Sequence, residues 1–512
     1  MNQGNNSNAG LPRLSKHQPT KGPHHSLASP IKLVPLLCAL FALFSAKGTL
    51  SWAQTAERLS KVRRLYVDSL GNNDTSAEIR DRVIHRLRGS HDIQVVTDPR
   101  EADAVVRGTS QTWMFGYTSS STRSHSLRQP AYEGFLSVEV VGRNDEILWS
   151  YLATPDAFPW SSIADDLAHQ LVNKLVAAIK DEGRLEPTPS GTLAKAEGTL
   201  KGAGATFPAP LYRLWFELFQ KSHLDVRIGY DAVGSAEGIR LLTEGKVDFG
   251  ASEVPLSREM MPESHQRFIS LPIVLGAVVP IYNLKGLRQN VHFTPETLAG
   301  IYLGKIRKWN DPRIAASNRN AALPDADLVA VHRSDGSGTS FAWTDYLSKI
   351  SRDWKASVGA GATVQWPVGI GAEHNEGVAS TVQQTPNSIG YVEFIYALQH
   401  ELSFGLVRNA AGRFIKADIS SVTDAAAETP DNPDQGFDVS ITNPPGQTAY
   451  PIVTYTWLLL PERIEDENKK AVLVGLLRWM LTSGQRRCSG LGYAPLPPEV
   501  ARRALQALDR TK

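Results

Sequence analysis

At 512 residues the chain is too long for one ordinary core, and its composition of 42% hydrophobic and 21% charged residues is that of a folded protein with several domains. The formal net charge of +2 becomes −3 once residues 1–53 are set aside, because they hold five basic residues and no acidic one. No basic surplus is left to neutralise a phosphate backbone, so no nucleic-acid partner is expected.

The first predicted element is a secretory signal. A basic leader precedes LVPLLCALFALFSA at residues 33–46, an apolar run of 14 residues that is short for a membrane span and typical of a signal's hydrophobic region. Ser51 and Ala53 supply the small residues of a signal-peptidase site. We therefore predict residues 1–53 as a signal peptide and a periplasmic location. Only Cys488 then remains, so no internal disulfide is expected.

Residues 55–185 carry the pattern of a small α+β domain. Strands are predicted at VRRLYV and FLSVEVV, and Thr75–Glu78 has the capping-box spacing that opens a helix. The serine-rich stretch TSSSTRSHS, residues 118–126, is predicted as a loop between strands. We find no catalytic or ligand-binding pattern in this domain, and the sequence names no partner for it. Residues 186–198, with their prolines and glycines, are predicted as an interdomain linker.

From residue 199 onward strands and helices alternate, which predicts an α/β fold. The apolar runs LPIVLGAVVPIY (271–282) and YPIVTYTWLLL (450–460) have the appearance of buried strands. We interpret them as two crossings between lobes, joined by a two-stranded hinge. The predicted lobe I comprises residues 199–280 and 450–512, and the predicted lobe II comprises residues 281–449.

Three loops place small or hydroxyl residues at predicted helix starts: Thr206 before a proline, Ser235 after a glycine, and Ser337-Gly338-Thr339. Free backbone N–H groups and the positive end of the helix dipole favour an anion at such positions. Each loop alone is an ordinary helix cap, and most caps bind no ligand. These loops therefore need a further signal before they predict a binding site.

That signal is Arg333, which stands two residues before Asp335 in VHRSDGSGTSF. A planar guanidinium suits bidentate contact with a tetrahedral oxyanion, and Asp335 would hold it in place and offset its charge. The alternative interpretation is a surface ion pair of little energetic value. The first interpretation predicts an anion site kept close to neutral.

From about residue 199 to 508 the chain resembles the periplasmic phosphate-binding proteins of bacterial phosphate ABC importers, which have the type II periplasmic-binding-protein fold. The resemblance lies in LKGAGATFPAPLY, VGSAEGIRLLTEGKVDFGASEVPLS, IYLGKIRKWNDPRI, VHRSDGSGTSFAWTDYLSK, TVQWPVGIG, SIGYVEFIYA and GYAPLP. It implies two α/β lobes that close on one inorganic phosphate at a hinge, no enzymatic activity, no cofactor or metal, and delivery to the membrane permease of an ABC transporter.

The resemblance also implies the phosphate ligands. They are Thr206, Phe207 through its backbone N–H, Ser235, Glu253, Arg333, Ser337, Gly338 and Thr339, with Asp335 as the partner of the arginine. One position departs from the family, in which an aspartate usually accepts the proton-bearing oxygen of phosphate. Here Glu253 is one methylene longer, so we expect the role to be kept and leave the affinity open.

Two other functions stay open at this point. A phosphate-ester hydrolase could use Ser337 as its nucleophile, but it would need a general base. His332 is the histidine next to Arg333, and strand alternation predicts that it faces the opposite side. The other alternative is a phosphate-sensing envelope scaffold, in which residues 55–185 would matter most.

Overall fold

The computed structural model describes residues 59–509, except 91–92, 123–124, 156–161, 181–197, 256–266, 288, 429–436 and 438. They belong to one compact unit, Leu50–Lys512. The predicted signal peptide lies outside the described residues, and so does the predicted linker apart from Gly198, which begins a strand. No helix among the described residues has the length and apolar character needed to cross a bilayer.

The N-terminal domain, residues 59–180, is a five-stranded sheet in the order β2-β1-β3-β4-β5 with two helices. Its elements are β1 Arg64–Val67, α1 Asp74–Arg88, β2 Gln94–Val95, β3 Ala104–Thr122, β4 His125–Gly142, β5 Ile147–Ala153 and α2 Ile163–Lys180. The two helices bury the apolar stripes that their sequence periodicity predicts, including Leu167, Leu171 and Leu175. We refer to residues 59–180 as the N-terminal domain.

Two local predictions in this domain are wrong. The residue that caps the first helix is Asn73 and not Thr75. The Asn73 side chain accepts a hydrogen bond from the backbone N–H of Ser76. An asparagine two residues upstream provides an equally good cap. The serine-rich stretch is also not a loop, because β3 and β4 continue as an antiparallel pair to Thr122 and His125. Cross-strand backbone pairing outweighs the low strand propensity of these residues.

The remaining elements begin with β6 Gly198–Gly204, α3 Ala209–Ser222, β7 Val226–Ala232, α4 Ser235–Thr243, β8 Phe249–Ser252, β9 Phe268–Tyr282, β10 His292–Phe293, α5 Pro295–Tyr302 and α6 Pro312–Ala315. They continue with β11 Val329–Arg333, α7 Gly338–Ile350, α8 Arg352–Ser357, β12 Ile370–Ala372, α9 His374–Gln384, β13 Ser388–Glu393 and α10 Phe394–Gln399. The last are β14 Ser403–Phe404, β15 Leu406–Arg408, β16 Phe414–Ile415, α11 Ile419–Ala427, β17 Val453–Pro461, α12 Glu467–Leu481 and α13 Pro498–Leu508.

These strands form a sheet in the order β12-β11-β13-β9-β17-β8-β6-β7, with β14 also paired to β9. A small separate sheet has the order β10-β15-β16. The long strand β9 pairs with β17 over Phe268–Ala277 and with β13 over Val278–Tyr282. The sheet therefore has two halves that meet at β9 and β17. We call the half with β6, β7 and β8 the first lobe and the half with β11, β12 and β13 the second lobe.

The apolar runs account for this central position. From Leu271 to Tyr282 every residue of β9 is buried, and β17 is buried from Val453 to Leu460. Strands covered on both faces read as continuous apolar runs instead of alternating ones. The partner of β9 changes between Ala277 and Val278, three residues before the predicted lobe boundary at residues 280 and 281. Parallel strands on either side direct their helix starts towards the junction between the lobes, where the candidate site lies.

Candidate anion-binding site

Two helix starts, one from each lobe, meet at the junction. Helix α4 begins at Ser235 after Gly234, whose φ of 95° suits glycine, and helix α7 begins at Gly338. The backbone N–H of Gly338 donates to the Ser235 hydroxyl at 3.0 Å, and the N–H of Ala236 donates to the Gly336 carbonyl at 3.1 Å. The first and second lobes therefore touch each other at this point.

Glu253 lies directly beside these helix starts. Its Oε2 accepts a hydrogen bond from the Ser235 hydroxyl at 3.1 Å, and its Oε1 accepts one from the Thr456 hydroxyl at 3.0 Å. Burial raises the pKa of Glu253 to about 7, against the lowering effect of these two hydrogen bonds and of the Arg333 charge. The carboxyl group therefore changes its protonation near neutral pH.

Arg333 and Asp335 form a bidentate pair. The Nε atom donates to Oδ1 at 2.7 Å and Nη2 donates to Oδ2 at 2.5 Å. The arginine side chain is only 1% exposed, so the alternative of a surface ion pair is wrong. Burial acts to raise the pKa of Asp335, but the guanidinium holds it below its usual range. The buried Nη1 has no hydrogen-bond partner among the described residues.

The hydroxyl residues of the other two loops are also buried. Ser337 caps α7 by accepting from the backbone N–H of Ser340 at 3.1 Å, which leaves its hydroxyl hydrogen free for another acceptor. Thr206 and Thr339 both accept hydrogen bonds from the side chain of Asn375, at 2.9 and 3.4 Å. Three polar side chains thus lie at the same junction as Arg333 and Glu253.

Phe207 lies with its ring in the core of the first lobe. A side chain on Gly276 would meet this ring at 2.4 Å, so that glycine makes room for it. The Phe207 carbonyl accepts a hydrogen bond from Tyr493 at 2.7 Å, and the carbonyl of Thr206 accepts one from Tyr396 at 2.6 Å. These two tyrosines anchor the loop whose backbone N–H was predicted as a ligand.

Sequence reasoning missed Asn375 and Thr456. Thr456 is a hydroxyl residue inside the apolar run of β17, a position where a polar side chain needs a buried partner, and that signal was available. Asn375 follows His374 in GAEHNEG and gives no comparable signal in the sequence. Both residues reach the site only through the packing of distant elements.

The two histidines near the loops in sequence were the candidate bases for a serine hydrolase. The ring of His332 stacks on Trp366 with centroids 4.8 Å apart, and its Nδ1 lies 3.0 Å from the Arg333 carbonyl. His374 contacts Asp335 through its backbone N–H. Within the described ranges no histidine hydrogen-bonds Ser337, and no group of three or more His, Cys, Asp or Glu residues could hold a metal ion.

Comparison with known proteins extends the resemblance. The sequence model of one protein family, described as a PBP superfamily domain, matches residues 189–483. The phosphate-binding protein PstS of Pasteurella multocida is 39% identical over 315 residues, which cover 61% of this chain and 90% of the relative. The protein of the same name from Haemophilus influenzae is 38% identical over 312 residues, covering 60% and 92%.

Among solved structures, a periplasmic phosphate-binding protein, PfluDING with bound phosphate, aligns at a TM-score of 0.49 and 17% identity, covering 60% of this chain and 92% of that one. This likeness is too distant to carry weight. The sequence matches do support family membership, because the family model covers more than half of the chain and the two relatives are matched over nearly their whole length. The chain therefore belongs to the PstS phosphate-binding proteins of the PBP superfamily.

Proposed function

We propose that this protein captures inorganic phosphate between its two lobes and delivers it to the membrane permease of an ABC importer. The observation that carries the proposal is the buried Nη1 of Arg333, which has no partner among the described residues although Asp335 holds the rest of the guanidinium. A buried donor without a partner costs about 1–3 kcal/mol, and more when it is charged. An oxyanion at the junction would remove that cost.

The surroundings favour a protonated tetrahedral anion. Because Arg333 is neutralised by Asp335, binding would depend on directed hydrogen bonds from hydroxyls and helix N-termini more than on net charge. The Glu253 carboxylate is a hydrogen-bond acceptor, so the ligand must carry a proton that it can donate to Glu253. The proposed ligands are Thr206, Phe207, Ser235, Glu253, Arg333, Ser337, Gly338 and Thr339, with Asp335 in support. Ser235 and Gly338, which bond to each other here, would exchange that bond for the ligand.

We further propose that the protein is exported to the periplasm and is a binding protein without catalytic turnover. Support for export comes from the apolar run at residues 33–46 and the small residues at 51 and 53. Support for a pure binding role comes from His332, whose ring stacks on Trp366 and whose Nδ1 lies beside the Arg333 carbonyl instead of Ser337. Residues 55–185 would be a separate domain that precedes the two lobes.

Titration calorimetry of the purified full chain tests this function. We expect saturable binding of one phosphate and competition by arsenate. The affinity for sulfate should be lower than that for phosphate by a factor of about 100 or more, since several kcal/mol separate a paired acceptor from one that faces a fully ionised oxygen. Incubation with p-nitrophenyl phosphate should release no nitrophenol. Hydrolysis of the ester, or no binding of phosphate at all, would overturn the proposal.

A further inference from the structure

Asn375 lies between the two lobes and is fully buried. Its Oδ1 accepts from the backbone N–H of Glu393 at 3.1 Å, which determines that its Nδ2 faces the other way. That Nδ2 donates to the hydroxyl of Thr206 at 2.9 Å and to that of Thr339 at 3.4 Å. Thr206 belongs to the first lobe, and Asn375 and Thr339 belong to the second. One amide group thus contacts both sides of the junction.

The direction of these hydrogen bonds determines what the two threonines can do. A hydroxyl has a single hydrogen, and when its oxygen accepts from a neighbour that hydrogen points elsewhere. The amide of Asn375 can only donate through Nδ2, so neither threonine can donate to it. Within the described part of the chain, neither hydroxyl donates to another residue. Both hydrogens are therefore available to an acceptor at the junction.

We infer that Asn375 is a positioning residue that holds the Thr206 and Thr339 hydroxyls as donors towards the bound oxyanion. This inference rests on the proposed phosphate-binding function. It also gives Asn375 a role in closure, because its bond to Thr206 joins the two lobes. Asn375 itself need not touch the ligand.

A double-mutant cycle tests this role, with phosphate affinity measured by calorimetry on the full chain. We expect Thr206→Val to weaken binding about tenfold or more in the wild-type background, because a hydrogen bond to a charged ligand is lost. In an Asn375→Ala background the Thr206 hydroxyl can rotate freely, so the same change should cost only about threefold or less. Asn375→Asp should bind more weakly than Asn375→Ala, since a carboxylate would attract both hydroxyl hydrogens to itself.

Asn409 provides the matched control. It is also a buried asparagine, and its Nδ2 donates to the carbonyls of Gly446, Gln447 and Ala449, away from the site. In an Asn409→Ala background the cost of Thr206→Val should equal that in the wild type. Equal costs in the Asn375→Ala background as well would overturn the positioning role.

The outcomes also separate this role from the proposed function. Failure of the wild-type chain to bind phosphate would refute the function, whereas binding with independent mutant effects would refute only the role of Asn375. Thermal unfolding checks that each variant is folded. If Asn375→Ala does not fold, Asn375→Ser replaces it in the same cycle.

A second inference concerns the N-terminal domain, which contacts both lobes. On the first lobe, Ser137 donates to the carbonyl of Gly490 and Ser150 to that of Arg486, each at 2.6 Å. The backbone N–H of Gly490 donates back to Ser150 at 3.1 Å. Ser137 and Ser150 are buried, so this contact excludes water.

The contact with the second lobe includes two exposed side-chain pairs, besides the buried Glu133 and a hydrogen bond from Lys416 to the Pro155 carbonyl. Gln111 donates to Glu401 and Lys174 donates to Ser420, each at 2.5 Å, and both pairs are accessible to solvent. Glu133 is buried and faces the second lobe. Burial raises the pKa of its carboxyl to about 7, although Lys416, Asn290 and Ser403 of that lobe act to lower it. Exposed pairs contribute little stability, and burial of the Glu133 carboxyl carries a desolvation cost that offsets its contacts, so we take this contact as the weaker one.

We propose that the N-terminal domain stays attached to the first lobe and restrains the second, so that opening of the lobes requires the second-lobe contact to break. The restraint would slow release of the bound anion. The contact with the first lobe holds the buried Ser137 and Ser150, whereas the contact with the second lobe includes exposed pairs, so the second-lobe contact should separate first. The inference does not depend on Asn375.

Stopped-flow measurement of phosphate release from the full chain tests the restraint. The double variant Gln111→Ala, Lys174→Ala should release phosphate about twofold to tenfold faster, because each exposed contact contributes a fraction of a kcal/mol to about 1 kcal/mol. Arg100→Ala is the control, since it removes one positive charge from a 91% exposed side chain of the same domain. An unchanged release rate in the double variant, or an equal increase in the control, would overturn the restraint.

Discussion

Replacing Arg333 by alanine is expected to abolish measurable phosphate binding while the protein stays folded. The change removes the buried Nη1 that has no partner among the described residues, and each charge-assisted hydrogen bond it would make contributes about 1.5–3 kcal/mol. It also leaves the Asp335 carboxylate with the His374 N–H but without its arginine, so that an uncompensated negative charge faces the ligand. Calorimetry with phosphate, together with thermal unfolding of the variant, measures both parts of this expectation.

Arg313 is a close structural control. It also pairs through Nε and Nη2 with an aspartate two residues away in sequence, Asp311, at 2.9 and 2.7 Å. Its side chain is 52% exposed, in contrast to the buried Arg333. Arg313→Ala should leave phosphate affinity unchanged. A folded Arg333→Ala protein with wild-type affinity would contradict the site assignment.

The second large effect is expected at Glu253. Phosphate keeps at least one proton at neutral pH, whereas sulfate keeps none, so a buried carboxylate accepts a hydrogen bond from the first and repels the second. Replacement by glutamine removes the charge and adds an amide that can donate. Glu253→Gln should therefore bind phosphate about tenfold more weakly or worse and should bind sulfate no more weakly than the wild type does. Competition titrations with both anions measure the change in selectivity.

Glu253→Asp tests whether the carboxylate or its reach matters. The shorter side chain keeps the acceptor, so preference for phosphate over sulfate should persist even if the 3.1 and 3.0 Å contacts with Ser235 and Thr456 lengthen. Comparable affinities of the wild-type protein for phosphate and sulfate at pH 8 would count against this role for Glu253.

The titration of Glu253 gives a pH dependence with a defined sign. Its pKa is raised from 4.5 to about 7, so the group is charged above that pH and neutral below it. Neutral Glu253 can donate to an ionised oxygen, and discrimination against sulfate should weaken as the pH falls from 8 to 5.5. Phosphate also titrates in this range, so Glu253→Gln should lose only the part of the dependence that comes from Glu253, which distinguishes this group from Glu393, the other buried carboxyl nearby.

Much of the geometry of the candidate site could be predicted because its signals are local. Ser337 caps the helix that begins one residue later, and Gly234 provides the positive φ before Ser235. Arg333 and Asp335 are two residues apart, so their pairing needs only the end of one strand. The long apolar runs likewise predicted the strands at the junction, since burial on both faces of a strand requires apolar side chains throughout.

Other properties depend on residues that are distant in the chain. The pKa of Glu253 follows from its burial and from Thr456, which is 203 positions away. Asn375 reaches Thr206 across 169 positions, and Ser137 reaches Gly490 across 353. The sequence by itself thus determined the helix starts, the buried strands and the arginine–aspartate pair, because neighbouring residues specify them. Only the tertiary structure decided the raised pKa of Glu253, the contacts of Asn375 and the placement of the N-terminal domain, because desolvation and long-range hydrogen bonds arise when separate elements pack together.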